Sequence, residues 1–405
     1  MNELITKARR RLARDFASAK KTARKRFASA VYSCPGLINC DPRRRVVRLA
    51  DYCNRLQNYP LNGEKPAESW YLPLDPPRAI DREEPVSPNE TEAEKFRNAA
   101  ARLQNGIHCQ FPETFLACVH DAKIYGQDFL VLSPGNCIFF DSALLQQNVL
   151  ERNGILETLI WPKPRAVREI GCLMAQEMPN AYYHWLIEVM PKLSTLRQFE
   201  QLSEVPLIVP RVLKPFQADS LRMAGVSDSR LLPFDNTCWE VRNLFFPSML
   251  GPTGSPAPAA VAWLRKTFLR PETESSSGPK RIYLTRRDAS QRRVLNEREL
   301  IAFLEAEGFA TVCTGDLSFV EQIQLFSHVE VVVAAHGAGS TNMVFAPENA
   351  VLIELFGDNY INGCFWALTN IRGQKYAFLT GPSQWLDYSI SLEELKLLLA
   401  KVCRI

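Results

Sequence analysis

Strand-like and helix-like segments alternate through most of the chain, and this alternation constrains the fold more than any other feature of the sequence. Two alternating blocks, roughly 115–270 and 280–402, are separated by the polar stretch 271–279, whose proline, serine and glycine content is typical of a linker. Such alternation implies βαβ units and mostly parallel sheets. Ligands of such sheets bind at the carboxyl ends of the strands, so a site is predicted near residues 285–293, 314–316, 335–341 and 356–358.

The individual elements are predicted from apolar periodicity. The predicted strands cover residues 129–132 and 137–140, which form a hairpin, and 170–174, 206–210, 230–234, 241–246, 281–285, 309–313, 329–334 and 351–356. The predicted helices cover residues 92–103, 182–199, 216–223, 259–269, 296–307, 319–326 and 391–402. We expect Asn296 to cap one of these helices and Gly308 to end it. Three regions result: an extension over 1–110, an α/β lobe over 111–270, and a second α/β lobe over 271–405, with a cleft between the lobes.

The extension differs from the rest of the chain in composition. Residues 2–30 combine many lysines and arginines with apolar residues at helical spacing, which predicts a basic amphipathic helix. Such a helix either lies on an anionic membrane surface or docks on its own protein. Residues 31–110 are interrupted repeatedly by proline, so we expect them to be irregular and assign them no chemistry.

Charge and cysteine content narrow the possible functions. The net charge is only +4, and basic residues are not interleaved with aromatic ones outside residues 2–30, so no nucleic-acid partner is expected. The eleven cysteines are scattered and include no Cys-x-x-Cys pair, which favours core thiols in a reducing compartment. No apolar run reaches the roughly 20 residues of a membrane-spanning helix. We therefore expect a cytoplasmic protein, or one peripheral to the inner face of the membrane.

The strongest local motif is Val331-Val-Val-Ala-Ala-His336-Gly-Ala-Gly-Ser-Thr-Asn342, in which an apolar strand runs into small residues. We call residues 336–342 the glycine bend. Small residues let a ligand approach the backbone, and a helix after them would offer unpaired N–H groups and a positive dipole end. The bend is therefore predicted to cradle a diphosphate, and a tight structural turn is the alternative. It matches neither the Gly-x-Gly-x-x-Gly fingerprint nor a Walker motif.

Four arginines follow the first predicted strand of the second block. They are Arg286, Arg287, Arg292 and Arg293. These residues lie at the same predicted sheet edge as the glycine bend, and guanidinium groups suit phosphate because they are always charged and donate bidentately. The arginines are thus predicted to neutralise a leaving diphosphate, and a solvated basic loop is the alternative.

Two further groups are candidates for chemistry. His184 and Glu188 stand at i and i+4, so they share one helix face and can act as a base with its orienting partner. A core histidine with a satisfied hydrogen bond is the alternative. Glu354 is a carboxylate within an apolar strand, and it either binds ribose hydroxyls or pairs with an internal arginine. The histidines show no metal-ligand spacing, so no metal site is proposed.

Taken together, the motifs resemble those of glycosyltransferase family 61, and in particular its bacterial members of the capsular polysaccharide biosynthesis type. The matching motifs are Asn180-x-x-x-His184-Trp, Tyr283-Leu-Thr-Arg286, Arg293-x-x-Asn296-Glu297 and His336-Gly-Ala-Gly-x-x-Asn342-x-x-Phe345. The resemblance covers roughly residues 165–385 and does not extend to residues 1–110.

This resemblance implies a GT-B architecture of two Rossmann-like lobes and an inverting mechanism with a UDP-sugar donor, which needs no cofactor. The C-terminal lobe would hold the nucleotide, and the N-terminal lobe would hold a glycan or glycoconjugate acceptor, in surface polysaccharide synthesis. It assigns the donor diphosphate to a set of residues comprising Arg286, Arg293, His336, Gly337, Ala338, Gly339, Ser340, Thr341 and Asn342. Glu354 becomes a nucleotide-side candidate. His184 and Glu188 become the base candidates, without a choice between them.

Two other functional classes stay open at this point. A two-lobed NAD(P)-dependent oxidoreductase would share the α/β blocks, but its glycine fingerprint and the acid about 20 residues later are not evident. A non-catalytic, membrane-associated assembly factor would need the basic helix but not the arginines.

Overall fold

A computed structural model of the chain describes residues 46–57, 68–102, 106–142, 163–271 and 278–403. The basic helix predicted over residues 2–30, together with the membrane contact expected of it, lies outside the described residues. No helix in the described ranges is both long and apolar enough to cross a bilayer.

The structure is a mixed α/β fold. The strands are β1 Val46–Val47, β2 Asn54–Arg55, β3 Trp70–Pro73, β4 Arg78–Asp81, β5 His108–Phe111, β6 Phe115–Tyr125, β7 Leu130–Leu132, β8 Ile138–Phe139, β9 Ala166–Leu173, β10 Leu207–Pro210, β11 Leu231–Phe234, β12 Cys238–Pro247, β13 Arg281–Leu284, β14 Ala310–Val312, β15 Val331–Ala335, β16 Val351–Gly357, β17 Lys375–Gly381, β18 Ser383–Gln384 and β19 Asp387–Tyr388. The helices are α1 Leu49–Tyr52, α2 Glu90–Arg102, α3 Lys192–Leu196, α4 Pro215–Met223, α5 Pro258–Phe268, α6 Glu297–Ala306, α7 Phe319–Phe326, α8 Cys364–Ile371 and α9 Leu392–Val402.

The larger sheet has ten strands in the order β1-β8-β7-β6-β12-β9-β10-β11, with β3 and β2 branching from β6. Its half made of β12, β9, β10 and β11 is parallel, as the alternation predicts. The other half is mostly antiparallel: the long strand β6, which periodicity does not single out, pairs antiparallel with β12 along nearly its whole length, while β1–β8 and β2–β3 are parallel. The prediction of a mostly parallel sheet therefore holds for only part of this sheet.

The smaller sheet has five strands, in the order β14-β13-β15-β16-β17, and all its pairs are parallel. Every residue of β15 and β16 is buried, as expected when helices cover both faces of a parallel sheet. The sequence predicts four of these strands, and the structure adds β17, which follows α8. Parallel pairing brings the ends of β13 and β15 to one edge, next to the glycine bend.

The predicted helix over residues 182–199 is interrupted in the structure. A π-helix spans His184–Val189, and α3 begins only at Lys192. Pro191 stands between them, and proline supplies no N–H to a helical ladder. π-Helical turns are rare and occur frequently at functional sites, which directs attention to His184 and Glu188.

Two predictions about helix ends have different outcomes. Gly308 follows the end of α6 with a φ of +81°, a conformation that favours glycine. Asn296 does precede α6, but its side chain makes no cap bond. Its amide group instead exchanges two hydrogen bonds with the backbone of Ile390, at 2.8 and 2.9 Å.

The segment expected to be irregular, residues 31–110, is ordered over its described parts and joins both sheets. β3 pairs with β6 of the larger sheet, whereas Val86 bridges to Ala377 of the smaller one. Phe96 on α2 packs its ring against Trp366 at 5.5 Å and Phe378 at 4.7 Å. These contacts explain why a proline-rich stretch still orders: its apolar residues fill the core that the two sheets share.

That shared core is a helical layer between the two sheets. Phe268 at the end of α5 packs edge-on against Phe319 at 5.2 Å, and Phe345 follows at 6.3 Å from both rings. Arg265 extends from the same helix to donate to the backbone oxygens of Val344 and Ala346 at 2.8 and 3.2 Å. Residues on both sides of the 271–279 linker thus support the backbone directly after the glycine bend.

Candidate active site

The glycine bend is compact because side chains from neighbouring loops press against it. Gly337 has an extended backbone with φ of −175°, so it needs to be small rather than flexible. A Cβ at this position would collide with Nη1 of Arg286, and a Cβ at Gly339 would stand 2.7 Å from Oγ1 of Thr314. The prediction that a guanidinium group lies against the bend is therefore confirmed for Arg286.

Residues Ala338–Val344, which include most of the glycine bend, form the predicted helix as a short 3₁₀-helix. The turn is short, so the argument from the dipole of a long helix does not apply here. What the bend offers instead is small residues, closely spaced backbone groups and neighbouring cations.

A cavity of about 400 Å³ opens in front of the bend, within the size range of small-molecule sites. Residues from both sides of the linker line it. They are Asn180, Tyr182, Lys214, Pro215, Phe216, Leu284, Thr285, Arg286, Asp288, Ala289, Thr314, Gly315, Leu317, Ser318, Phe319, Gln322, Ala335, Gly337, Ala338, Gly339 and Ser340. Arg286 follows β13 of the smaller sheet and Lys214 follows β10 of the larger one, so one ligand can meet positive charge from each side.

The cavity wall holds polar groups that are short of partners. Nη2 of Arg286 donates to the backbone oxygen of Gln291 at 3.2 Å, whereas its Nε is buried with no hydrogen-bond partner in the described part of the chain. The hydroxyl of Ser340 is likewise buried and unpartnered among the described residues. Burial lowers the pKa of Arg286, and the nearby charge of Arg292 lowers it further. Unpartnered buried donors are costly, so an anionic ligand that accepts from them would bind favourably.

Three residues of the predicted diphosphate set lie behind the cavity wall. Asn342 is fully buried and donates to Oε1 of Gln322 at 2.8 Å and to the oxygen of Gly339 at 3.1 Å, while Tyr182 donates to it at 2.7 Å. Asn342 therefore ties the bend to α7 and to the segment before the π-helix. Thr341 is fully buried as well. The third of these residues is His336.

His336 is almost fully buried, and its Nδ1 bonds to Oε1 of Glu354. Tyr376 donates to the other oxygen of Glu354 at 2.7 Å. Both oxygens of this fully buried carboxylate are therefore engaged, and within the described residues no arginine pairs with it. The predicted role of Glu354 at the nucleotide finds no support in this geometry, because the carboxylate stands behind His336 rather than in the cavity wall.

The second predicted diphosphate arginine is engaged elsewhere. Arg293 is half exposed and forms a bidentate pair with Asp387, with Nη2 at 2.7 Å and Nε at 3.1 Å from the same oxygen. It does not line the cavity. Arg292, another of the four predicted arginines, has a φ of +60°, and its guanidinium lies over the Tyr360 ring at 5.3 Å. Arg292 and Arg293 thus have different partners in the folded chain, and their positions in the sequence do not reveal this difference.

His184 and Glu188 meet as the sequence predicts. Nδ1 of His184 lies 2.8 Å from Oε2 of Glu188, within the π-helix. Glu188 is 4% exposed, and its Oε1 also accepts from the Thr253 hydroxyl at 2.8 Å and the Gly254 N–H at 3.2 Å. Burial lowers the pKa of His184, but the hydrogen bond and charge of Glu188 outweigh burial, so the pKa is raised overall.

The two histidine–carboxylate pairs lie close to one another. The Tyr183 ring contacts His184 at 5.5 Å and Phe365 at 5.7 Å, and Phe365 contacts His336 at 5.4 Å. Tyr182, two residues before His184, lines the cavity itself. The described geometry therefore puts a base candidate, the glycine bend and the cavity-lining cations Arg286 and Lys214 in one region. No group of His, Cys, Asp and Glu within the described ranges is arranged to hold a metal ion.

Comparisons with known proteins identify relatives for part of the chain. Residues 182–353 match the model of the family described as Glycosyltransferase 61. The protein named EGF domain-specific O-linked N-acetylglucosamine transferase in Drosophila melanogaster is 36% identical over 97 residues, which are 23% of this chain and 18% of that protein. Its Rattus norvegicus namesake is 29% identical over 119 residues, 27% of this chain and 22% of that protein. The chain thus spans about a fifth of the length of the curated relatives it matches.

The matched span includes His184, Glu188, Arg286 and the whole glycine bend, and it ends one residue before Glu354. These comparisons show that residues 182–353 are similar to glycosyltransferase family 61, and that the relatives matched are named as glycosyltransferases.

Proposed function

We propose that this protein is an inverting glycosyltransferase that moves a sugar from a UDP-sugar to a hydroxyl of a glycan or glycoconjugate. The observation that carries the proposal is the packing of Arg286 against Gly337, in a cavity whose other wall comes from the segment that bears His184. In this proposal the two sheets belong to the two lobes of a GT-B architecture, over residues 111–270 and 271–405.

His184 is our choice for the base. Glu188 accepts hydrogen bonds at both oxygens and is nearly inaccessible, whereas His184 is 18% exposed and uses only Nδ1 among the described contacts. A carboxylate that accepts from Nδ1–H fixes the tautomer whose Nε2 can take a proton. Glu188 is then the orienting partner, as in a catalytic dyad.

The proposed step is a single in-line displacement. The acceptor hydroxyl loses its proton to Nε2 of His184 as its oxygen bonds to the anomeric carbon. The bond from that carbon to the diphosphate oxygen breaks, and its electron pair leaves with UDP. Arg286, the backbone of the glycine bend and the Ser340 hydroxyl stabilise the departing charge, and in this scheme no metal or cofactor is required.

The relatives named above suggest which donor to try first. Their names describe N-acetylglucosamine transfer to EGF domains, so UDP-N-acetylglucosamine is the first donor to test with this chain. The roles of Arg293, His336, Thr341, Asn342 and Glu354 at the donor stay predictions. So do the capsular polysaccharide subtype, the cytoplasmic location and the membrane contact of residues 2–30.

The decisive experiment is a hydrolysis panel of UDP-, GDP- and other nucleotide sugars, with NAD binding measured in parallel by thermal shift. Slow hydrolysis of one UDP-sugar, lost in Arg286→Ala with the melting temperature retained, is the expected result. Stabilisation by NAD alone would replace the proposal with an oxidoreductase. No response to any nucleotide would favour a non-catalytic assembly factor.

A further inference from the structure

Lys192 is a buried cation that the proposed mechanism does not use. Its side chain is 1% exposed, and its ammonium group donates to the Met174 backbone oxygen at 3.2 Å and to Oε1 of Gln176 at 2.8 Å. It also lies 5.8 Å from the centre of the Phe246 ring. No carboxylate pairs directly with it in the described ranges. A buried charge without a counter-ion is costly, so its retention needs a reason.

The amide of Gln176 connects Lys192 to the His184–Glu188 dyad. An ammonium group has only donors, so the Gln176 atom that faces it must be the carbonyl oxygen. The amide nitrogen then faces the other way, 3.5 Å from Oε2 of Glu188 and 2.9 Å from the sulfur of Met249. That carboxylate oxygen is the one that accepts from His184. The contact with Lys192 therefore orients the Gln176 amide so that its NH₂ group, and not its oxygen, faces Glu188.

We propose that Lys192 is a positioning residue that sets the orientation of the Gln176 amide and thereby keeps an N–H donor, rather than a carbonyl oxygen, facing the Glu188 oxygen that bonds to His184. The proposal rests on the assignment of His184 and Glu188 as the dyad of the proposed transferase. If the amide were reversed, its oxygen would face the carboxylate and repel it. The contacts thus form a hydrogen-bonded series in which each group orients the next, in the order Lys192, Gln176, Glu188 and His184.

Other titratable groups face this chain and belong in any test of it. Tyr183 and Cys364 are near Glu188, Glu177 is near His184, and Cys172 is near Lys192. Burial lowers the pKa of Lys192 to about 8, against the opposing influence of Cys172 and Glu188. An uncharged amine can accept as well as donate, so above that pH the amide is no longer held in one orientation.

The test is a double-mutant cycle with Lys192→Met, Gln176→Met and the double variant, read out on His184 by NMR titration. Both single variants remove a favourable donor or cation near Oε2 of Glu188, so each should raise the pKa of His184 by about half a unit. In the Gln176→Met background, Lys192→Met should add nothing further, because the link is already broken. The titration needs no substrate, so it stands even if the transferase proposal fails.

Two measurements separate positioning from a merely structural role. Lys192→Met replaces a buried ammonium with an apolar chain of similar length, so its melting temperature should be retained or raised. Donor hydrolysis at neutral pH should fall two- to threefold, about what half a unit of pKa produces, and should recover at higher pH. An unchanged His184 pKa in Lys192→Met would overturn the proposal. So would an equal effect of Lys192→Met with and without Gln176, which would indicate charge acting through space.

Discussion

Gly337→Ala is the substitution that tests the proposed donor site most directly. The backbone at this position is extended, with φ of −175°, and any residue adopts it. The added Cβ would instead collide with Nη1 of Arg286 and approach its Cζ to 3.0 Å and its Cδ to 3.3 Å. Because these atoms belong to the far end of a flexible side chain, the guanidinium group moves aside rather than the backbone.

The size of the effect follows from what moves. Shifting one side chain out of its preferred rotamer costs about 0.5–1.5 kcal/mol, so the loss of stability should be small. A hydrogen bond to a charged group contributes about 1.5–3 kcal/mol, so losing the Arg286 contact to a diphosphate should weaken UDP binding roughly 10- to 150-fold. Calorimetric titration with UDP, together with thermal unfolding of the free protein, measures both quantities.

Gly308→Ala is the matched control, because it should lower the stability of the fold without changing the affinity for UDP. Gly308 has a φ of +81°, and a Cβ there would meet nothing within 4 Å. The alanine should cost about 1–2 kcal/mol of stability through backbone strain and leave UDP affinity unchanged. If Gly337→Ala bound UDP as tightly as the wild type, the reasoning that puts Arg286 at the diphosphate would be refuted.

Two further predictions concern the dyad and the arginines. The raised pKa of His184 means that its pairing with Glu188 stabilises the fold below pH 6.5 and that this contribution is lost as pH rises through the folded pKa. Turnover that needs neutral His184 should fall as pH drops through that same pKa. In Glu188→Gln the fall in turnover at acid pH should occur at a lower pH, because burial, which lowers the pKa of His184, is then no longer opposed by the Glu188 charge. A pH profile that does not shift would exclude Glu188 as the partner of His184. Arg286→Ala should weaken UDP binding at least about tenfold, because Arg286 lines the cavity, and Arg293→Ala less than about twofold, because Asp387 already engages Arg293. The reverse order in calorimetry would return Arg293 to the diphosphate.

Local patterns predicted much of the fold correctly. Runs of apolar residues such as Val331–Ala335 identify buried parallel strands, because only a sheet covered on both faces accepts them. The end of α6 was also predicted correctly, because Gly308 adopts the left-handed conformation that favours glycine. The i, i+4 spacing likewise predicted that His184 and Glu188 meet.

Other elements could not be predicted, because distant partners decide them. β6 is a strand through its pairing with β12, more than a hundred residues away in sequence. The stretch around Phe96 is ordered by Trp366 and Phe378, which local periodicity cannot indicate. Pairing energy and shared burial act between residues that only the folded chain brings together.

The sequence by itself determined which residue types could serve an anionic sugar donor: small residues after a buried strand, guanidinium groups at the same sheet edge, and a histidine with a carboxylate one turn away. Only the tertiary structure decided which of them face the cavity. It turned Arg286 inward against Gly337 and Arg293 outward to Asp387, and it buried Glu354 behind His336. The physical reason is that residue type sets what a group can bond to, whereas the packing of neighbouring elements sets which partner is within reach.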